Sequence, residues 1–319
     1  MTDSIAGETA VITGASRGLG LELARELGRR NARLVICARD DAELNRAADD
    51  LRAGGAEVTA VACDITDEAA PQVLIDAATR AYGRIDILVN NAGIIQVTPV
   101  WNARPDDFEA ALRTMALAPA RLTLAVLPLM RRQGHGRVVN VTSLGGKVSV
   151  PHLLPYCMAK FAAVAFSEGL RAELGAAPVT ITTAVPGLMR TGSHLQALFR
   201  GQREKEFTWF SLGAGLPPMS MDASRAARRI VSAMCAHKPE VILTPMAQVV
   251  SRGAGIFPGA TIRMLHAFGA ALPRPVEQAS EAAAGGDLRP AMPPKVFDRV
   301  TALARAAARR LNETADGQP

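Results

Sequence analysis

The sequence predicts an α/β fold, a doubly wound parallel sheet of about seven strands with helices on both faces, plus a mainly helical C-terminal extension. Three observations carry this. Short apolar runs alternate with helix-period segments through the first 244 residues, the pattern of a parallel sheet covered on both sides. A glycine-rich turn, T-G-A-S-R-G-L-G at 13–20, joins the first apolar run to the first helix pattern. Strand, glycine turn and helix in that order are the opening unit of a Rossmann-type fold. Beyond residue 244 the alternation stops.

Composition bounds the reading. Hydrophobic residues make up 49% of the 319 residues and charged residues 21%, enough apolar material for a large core. The net charge of +6 falls mostly on Arg of expected helix faces, and no aromatic-rich basic patch accompanies it. That argues against a nucleic-acid partner. Cys37, Cys63, Cys157 and Cys235 form no C-x-x-C pair and no metal-ligand spacing, so free thiols in a reducing compartment are expected, and no metal. The N-terminus has no charged region followed by an apolar run. No run reaches the ~20 apolar residues of a membrane span. A cytoplasmic protein is the expectation.

The first strand is Thr9–Thr13. The turn after it offers Gly14, Ser16, Arg17, Gly18, Leu19 and Gly20 to a dinucleotide. Its glycines let the backbone approach phosphates, and the following helix, patterned through Arg30, presents free N–H groups and a positive dipole end. The second strand is Arg33–Ala38. An acidic residue at its end would bind a ribose 2′-hydroxyl, but Ala38 and Arg39 stand there. Arg39 and Arg17 suit a 2′-phosphate, which favours NADP(H) over NAD(H). The plainer alternative makes Arg39 the start of a surface loop beside Asp40 and Asp41.

A helix pattern covers 42–52 and a third strand 57–63. Asp64 and Ile65 at its end are placed to contact adenine. A helix through Tyr82 leads to a fourth strand ending in Asn90, Asn91, Ala92 and Gly93, small or polar residues at the carboxyl edge where ligands bind. A long helix ends at about Arg132. The fifth strand, within 135–143, delivers Ser143 to the same edge. Tyr156 and Lys160 are four residues apart on the next helix and share one face. A neighbouring ammonium favours phenolate and is expected to lower the Tyr156 pKa from its usual ~10. By itself Y-x-x-x-K also occurs by chance.

Val179–Val185 is the sixth strand, followed by Pro186, Gly187, Leu188 and, at 191, Thr191. Thr191 also reads as a helix N-cap. Residues 192–221 are irregular in pattern, rich in Gly, Ser and Pro, and carry Phe199, Phe207, Trp209 and Phe210. A long irregular segment of this kind reads as a lid, with packing on the body or on a partner subunit as the alternative. A helix over 222–236, capped by Asp222, and a final strand at 241–244 complete the domain, 1–244. The extension is 245–319. Its first part is apolar with a Pro258-Gly259 break, 273–294 reads as a flexible linker, and 295–312 as an amphipathic helix. Val296, Val300, Leu303, Ala307 and Leu311 line one face of that helix. Peripheral membrane contact is one reading of that face, and packing against its own or a neighbouring subunit is the other.

Taken together, T-G-x-x-x-G-x-G at 13–20, N-N-A-G at 90–93, Ser143 thirteen residues before Tyr156, Lys160, and P-G-L-M-R-T at 186–191 resemble the short-chain dehydrogenase/reductase family over roughly residues 5–243. The resemblance implies that Ser143, Tyr156 and Lys160 are catalytic. It implies that Asn91, Ala92, Gly93, Tyr156, Lys160, Pro186, Gly187, Leu188 and Thr191 line the nicotinamide side of the cofactor, and that homodimers or homotetramers form through helices near 103–132 and 156–174. One departure stands out. The family usually places Asn in the helix after N-N-A-G, where this chain has Met115. A thioether cannot replace an amide in a proton relay. The implied function is NADP(H)-dependent interconversion of a hydroxyl and a carbonyl on a hydrophobic small molecule, steroid-like, retinoid-like or another apolar alcohol or ketone. A 3-oxoacyl-thioester reductase and a non-catalytic NADP-binding or scaffolding protein are the alternatives.

Overall fold

The computed structural model describes residues 4–215, 220–278 and 280–313. In chain order, β1 is Thr9–Thr13, α1 Gly18–Arg29, β2 Arg33–Ala38, α2 Asp41–Ala53, β3 Val58–Ala62, α3 Ala70–Tyr82 and β4 Ile87–Asn90. A two-residue β5, Gln96–Val97, precedes α4 at Pro105–Leu112, a π-helical turn at Arg113–Leu117 and α5 at Ala118–Gln133. Then follow β6 Gly136–Val141, α6 Leu154–Leu174, β7 Val179–Val185, β8 Leu188–Arg190, β9 Leu198–Phe199, α7 Arg203–Gly215, β10 Ser220–Asp222, α8 Ala223–Cys235 and β11 Glu240–Ile242. The extension contains α9 Pro245–Ile256, α10 Pro258–Ala270, β12 Ala283–Ala284 and α11 Pro294–Arg310.

Local chemistry sets these boundaries. The β1 run T-A-V-I-T is buried throughout, as a central strand covered on both faces must be. Asp40 caps α2 by accepting from the Glu43 N–H at 2.8 Å. Asp222 caps α8 through the N–H groups of Ser224 and Arg225, as the sequence predicts. Alternate residues of β1 face opposite layers. Ala10 and Ile12 pack with α1, α2 and α8, while Val11 packs with α3 and α5.

All seven strands of the main sheet are parallel, in the order β11-β7-β6-β4-β1-β2-β3. The chain winds outward from β1 to β3, then crosses back to lay β4 on the other side of β1. That reversal opens a crevice beyond the carboxyl ends of β1 and β4, where ligands bind in open parallel sheets. It places the glycine turn after β1 opposite Asn91, Ala92 and Gly93 after β4.

The C-terminal half departs from the expectations. The 192–221 segment is not irregular: it holds β9, the helix α7 and β10, the last paired with β8. Phe199, Phe207 and Phe210 are buried, in contact with one another and with Phe297 of α11. Nor does 273–294 run free. β12 pairs antiparallel with β9, Asn102 donates to the Val276 carbonyl at 2.7 Å, and Gln202 donates to the Arg274 carbonyl at 2.7 Å. Helix α11 turns Phe297, Thr301, Ala304, Ala307 and Ala308 inward, while Val296 and Leu303 of the expected stripe are exposed. Its buried face packs on the body of its own chain. Residues 216–219 of the expected lid and 314–319 of the extension lie outside the described residues.

The run Pro105–Gln133 has the length and apolar composition to cross a membrane. Here Leu122, Val126 and Met130 of that run are buried against the sheet, as in a core-lining helix.

Candidate active site

Ser143, Tyr156 and Lys160 converge at the carboxyl edge because β6 ends just before Ser143 and α6 starts just before Tyr156. The Ser143 Oγ accepts the Gly145 N–H at 3.0 Å and also hydrogen-bonds the Tyr156 phenol. Gly145 is a positional requirement that the motif reading missed. A Cβ there would lie 3.0 Å from the Tyr156 ring, so glycine lets the phenol close on Ser143 without a shift. The signal was in the sequence, as the Gly145-Gly146 pair directly after Ser143.

The electrostatics differ from the expectation. Burial pushes the Tyr156 phenol up to about 12, and the hydrogen bond with Ser143 pulls only partly the other way. Burial alone brings the Lys160 ammonium down to about 8. Lys160 Nζ donates to the Val141 carbonyl at 2.9 Å and lies 5.8 Å from the centre of the Tyr156 ring. Desolvation of the phenolate outweighs the ammonium at that distance.

On the nucleotide side, Gly14 has φ +63°, and a Cβ there would stand 2.7 Å from the Ala92 Cα. Gly14 thus lets the turn press against the end of β4. Asn91 locks the two together, donating from its side chain to the carbonyls of Thr13 (3.0 Å) and Gly14 (2.9 Å). The Asn91 and Ala92 N–H groups both reach Thr13 Oγ1. Gly18 and Gly20 open α1, which has no side-chain cap and no acidic residue in its first turn. Leu19 is buried behind it. A helix N-terminus without a side-chain cap fits a pyrophosphate. Asp64 accepts from the Thr66 N–H and hydroxyl, both at 2.8 Å, and Ile65 packs on the core. Across the crevice, the Pro186 carbonyl accepts from the Leu144 N–H at 2.8 Å. Gly187 packs on Thr244, and Leu188 enters β8. Thr191 is buried with its hydroxyl accepting the Ser193 N–H at 3.2 Å, so it caps a turn rather than a helix.

The two expected phosphate-binding arginines are in different situations. Arg39 is exposed, with only a 3.9 Å approach to Asp64 among its ion pairs. Arg17 is held at 2.6 Å by Glu43, which also takes the Ser16 hydroxyl. The chain terminus joins this group, which no motif indicated. The Gly18 N–H donates to the Leu311 carbonyl at 3.0 Å, and Asn312 donates to the Ser16 carbonyl at 2.9 Å. The Glu313 carboxylate lies 3.6 Å from Arg17, and burial pushes it up to about 8.

Met115 sits in the π-helical turn between α4 and α5, buried against Ala111, Ala159 and Tyr156. Close by is a cavity of about 10 Å³, the size of one water, lined in part by Asn90, Met115, Asn140 and Lys160. The Asn90 amide nitrogen donates to Thr123 and Asn140, while its Oδ1 is buried without a partner.

Comparison with known proteins fits this geometry. Residues 8–199 match the family model for short chain dehydrogenases. A putative ketoacyl reductase of Streptomyces coelicolor is 34% identical over 186 residues, 58% of this chain and 71% of its own length. Dehydrogenase/reductase SDR family member 7B of Bos taurus is 32% identical over 263 residues, 80% of this chain and 79% of its own. Among solved structures, a variant of actinorhodin polyketide ketoreductase with NADPH is 28% identical with a TM-score of 0.66, covering 77% of this chain and 97% of that one. On the family match over most of the sheet, and on the long alignment with the bovine protein, the chain belongs to the short chain dehydrogenase family.

Proposed function

We propose that this protein is an NADP(H)-dependent oxidoreductase that interconverts a hydroxyl and a carbonyl on an apolar small molecule. The observation that carries this reading is the meeting of Ser143, Tyr156 and Lys160 at the sheet edge beside the uncapped N-terminus of α1. The residues fit the nucleotide. Gly14, Ser16, Arg17, Gly18, Leu19 and Gly20 would hold its phosphates, Arg39 a 2′-phosphate, Asp64 and Ile65 the adenine, and Asn91, Ala92, Gly93, Pro186, Gly187, Leu188 and Thr191 the nicotinamide side. When bound, the nicotinamide ring supplies or accepts the hydride.

The chain's own residues manage the proton. Tyr156, protonated up to about pH 12, donates to the oxygen of the carbonyl being reduced. Ser143 hydrogen-bonds the same oxygen and orients it. Lys160 binds nicotinamide ribose hydroxyls and, while charged, favours the phenolate left after transfer. The aromatic cluster of α7 and β9, packed around Tyr156, supports an apolar substrate. Four free thiols support a reducing, cytoplasmic setting. Leu117 in the π-helical turn, Leu124 on α5, and Met158 and Phe161 on α6, all exposed, support a homodimer or homotetramer.

A second reading, reduction of a 3-oxoacyl thioester, is favoured by the ketoacyl reductase relatives. A panel of apolar ketones, alcohols and 3-oxoacyl thioesters with NADPH and NADH, followed by absorbance of the reduced cofactor, separates the two. In the same panel Tyr156→Phe should lose turnover by ~10²-fold or more while still binding NADPH. Undiminished turnover in that variant overturns the mechanism. NADPH binding by the wild type with no turnover on any substrate favours a non-catalytic role.

A further inference from the structure

The hairpin of α9 and α10 is the least covered part of the molecule. Helix α9 buries only Ala247, and α10 buries nothing. Val249, Ile256, Phe257, Ile262, Met264 and Phe268 are exposed, at 43% to 72%. Val249 and Ile256 are seven residues apart and share a face of α9. Ile256 and Phe257 form the tip where the two helices meet. A soluble helix pair with solvent on most sides would carry charge of both signs there. Instead, no Asp or Glu occurs between Glu240 and Glu277, while Arg252, Arg263, His266 and Arg274 do.

An apolar tip fringed only by cations matches the boundary of an anionic bilayer. The apolar side chains enter the acyl margin, and long basic side chains stay at the headgroups. A second copy of the chain is a poorer occupant. A two-fold contact through this face would oppose like charges with no acidic partner. We propose that the α9–α10 hairpin docks the protein on an anionic lipid surface. The base of the hairpin touches the catalytic side of the molecule. A Cβ on Gly269 would lie 3.4 Å from Pro151, and the Phe268 and Trp209 rings are 6.3 Å apart. Docking therefore brings the lid side, where Tyr156 lies, next to the lipid.

Sedimentation of the full chain with phosphatidylglycerol-containing vesicles and with pure phosphatidylcholine vesicles tests this. Binding should favour the anionic vesicles, weaken with added salt, and fall at least tenfold in the double variant Ile256→Asp, Phe257→Asp. Turnover of a soluble substrate should be unchanged. Arg252→Gln with Arg263→Gln should lower binding to anionic vesicles only. No preference for anionic vesicles, or a variant that breaks an oligomer while the wild type ignores vesicles, overturns the proposal.

The chain terminus carries a separate inference, which rests on the nucleotide reading above. Gly18 presents one of the first N–H groups of α1, and Leu311 already takes it. Asn312 bonds the Ser16 and Glu43 carbonyls, and Glu313 is 5% exposed, with Oε1 2.9 Å from the position of a Gly18 Cβ. Its Oε2 has no hydrogen-bond partner. A carboxyl group buried at the N-terminus of α1 beside Arg17 fills the place a phosphate would take. We infer that Leu311–Glu313 is a latch that competes with the dinucleotide for the glycine turn and must lift for it to bind.

NADPH titration of the full chain against the double variant Asn312→Ala, Glu313→Ala, followed by nucleotide fluorescence, tests the latch. The variant should bind at least fivefold tighter, with an unchanged circular dichroism spectrum. Equal or weaker binding by a folded variant overturns the latch. No NADPH binding by either protein overturns the nucleotide reading and the latch with it.

Discussion

Lys160 stands over the ring of Tyr156, within cation–π range. Its ammonium donates to the Val141 carbonyl at 2.9 Å and stands 5.8 Å from the centre of the phenol ring. The two groups are perturbed in opposite senses by the same cause, burial, which raises Tyr156 to about 12 and lowers Lys160 to about 8. The proton donor is therefore available throughout the physiological range, and Lys160 is the group that titrates near it.

The pH profile follows from that arrangement. In the direction of reduction, kcat/KM reports groups of the free enzyme. It should be level up to about pH 7 and fall as pH rises through about 8, where Lys160 loses its charge. Stability should run the other way. A buried lysine with a folded pKa below its ordinary value penalises the fold at low pH, and the penalty fades between about 8 and 10.5. Initial rates from pH 5.5 to 10 check the first point. A level profile to pH 10 would remove Lys160 from the chemistry.

Gly145→Ala tests the positioning of the phenol. The added Cβ meets the Tyr156 ring at 3.0 Å, a contact the ring relieves only by moving a few tenths of an ångström from Ser143. Turnover should drop about tenfold, since small misplacements of reacting groups have large effects on rate. NADPH affinity and the melting temperature should hardly change. An equal loss in NADPH affinity would show that the glycine serves the nucleotide instead.

If the cofactor is NADP(H), its 2′-phosphate should depend on Arg39 more than on Arg17. Glu43 already neutralises Arg17 at 2.6 Å, while Arg39 is 68% exposed at the end of β2. Arg39→Ala should reduce the preference for NADPH over NADH by ~10- to 100-fold, the value of one charge-assisted contact. Steady-state kcat/KM with each nucleotide measures the ratio. An unchanged ratio would assign the 2′-phosphate elsewhere.

Much of this was legible from the residues. The seven strands follow from runs such as T-A-V-I-T and V-T-I-T-T-A-V, whose burial on both faces leaves an unbroken apolar signal. The meeting of Ser143, Tyr156 and Lys160 was legible because they sit just after a strand and in the first turns of a helix. The lid was not. Helix α7 is amphipathic only weakly, since it is enclosed by β9, α11 and the body, and its buried Glu206 is satisfied by Trp209 one turn on (2.6 Å) and by the distant His152 (2.9 Å). The 273–294 segment looked like a tether because Pro and Gly hide pairing that a distant strand, β9, supplies. The contact of Leu311 with Gly18 joins residues nearly 300 positions apart, and spacing rules do not reach that far.

Met115 should prove structural. Its side chain packs beside Gly93, with Sδ 3.3 Å from where a Cβ would stand, and against Ala111, Ala159 and Tyr156. Met115→Asn loses that apolar burial and puts an amide among apolar neighbours. The expected destabilisation is about 2–4 kcal/mol. Urea unfolding measures it. A neutral or stabilising result would mean that the adjacent cavity accepts the amide, and that the turn is built for a polar group after all.

The 192–221 segment is tied to α4 by an enclosed ion pair, whose strength should limit any movement of a lid there. Arg200, just after β9, reaches both carboxylate oxygens of Asp107, at 3.1 and 3.2 Å, with both side chains about nine-tenths buried. Asp107 also accepts the Arg104 N–H at 2.8 Å, so it holds the start of α4 and the lid together. Removing one member leaves the other charge buried and unpaired, which is worse than losing both. Arg200→Met should therefore destabilise by about 3–5 kcal/mol, and the double variant Arg200→Met, Asp107→Asn by less than the single one. If the single and double variants unfold at the same urea concentration, the pair is not coupled and the lid is held by its aromatic cluster alone.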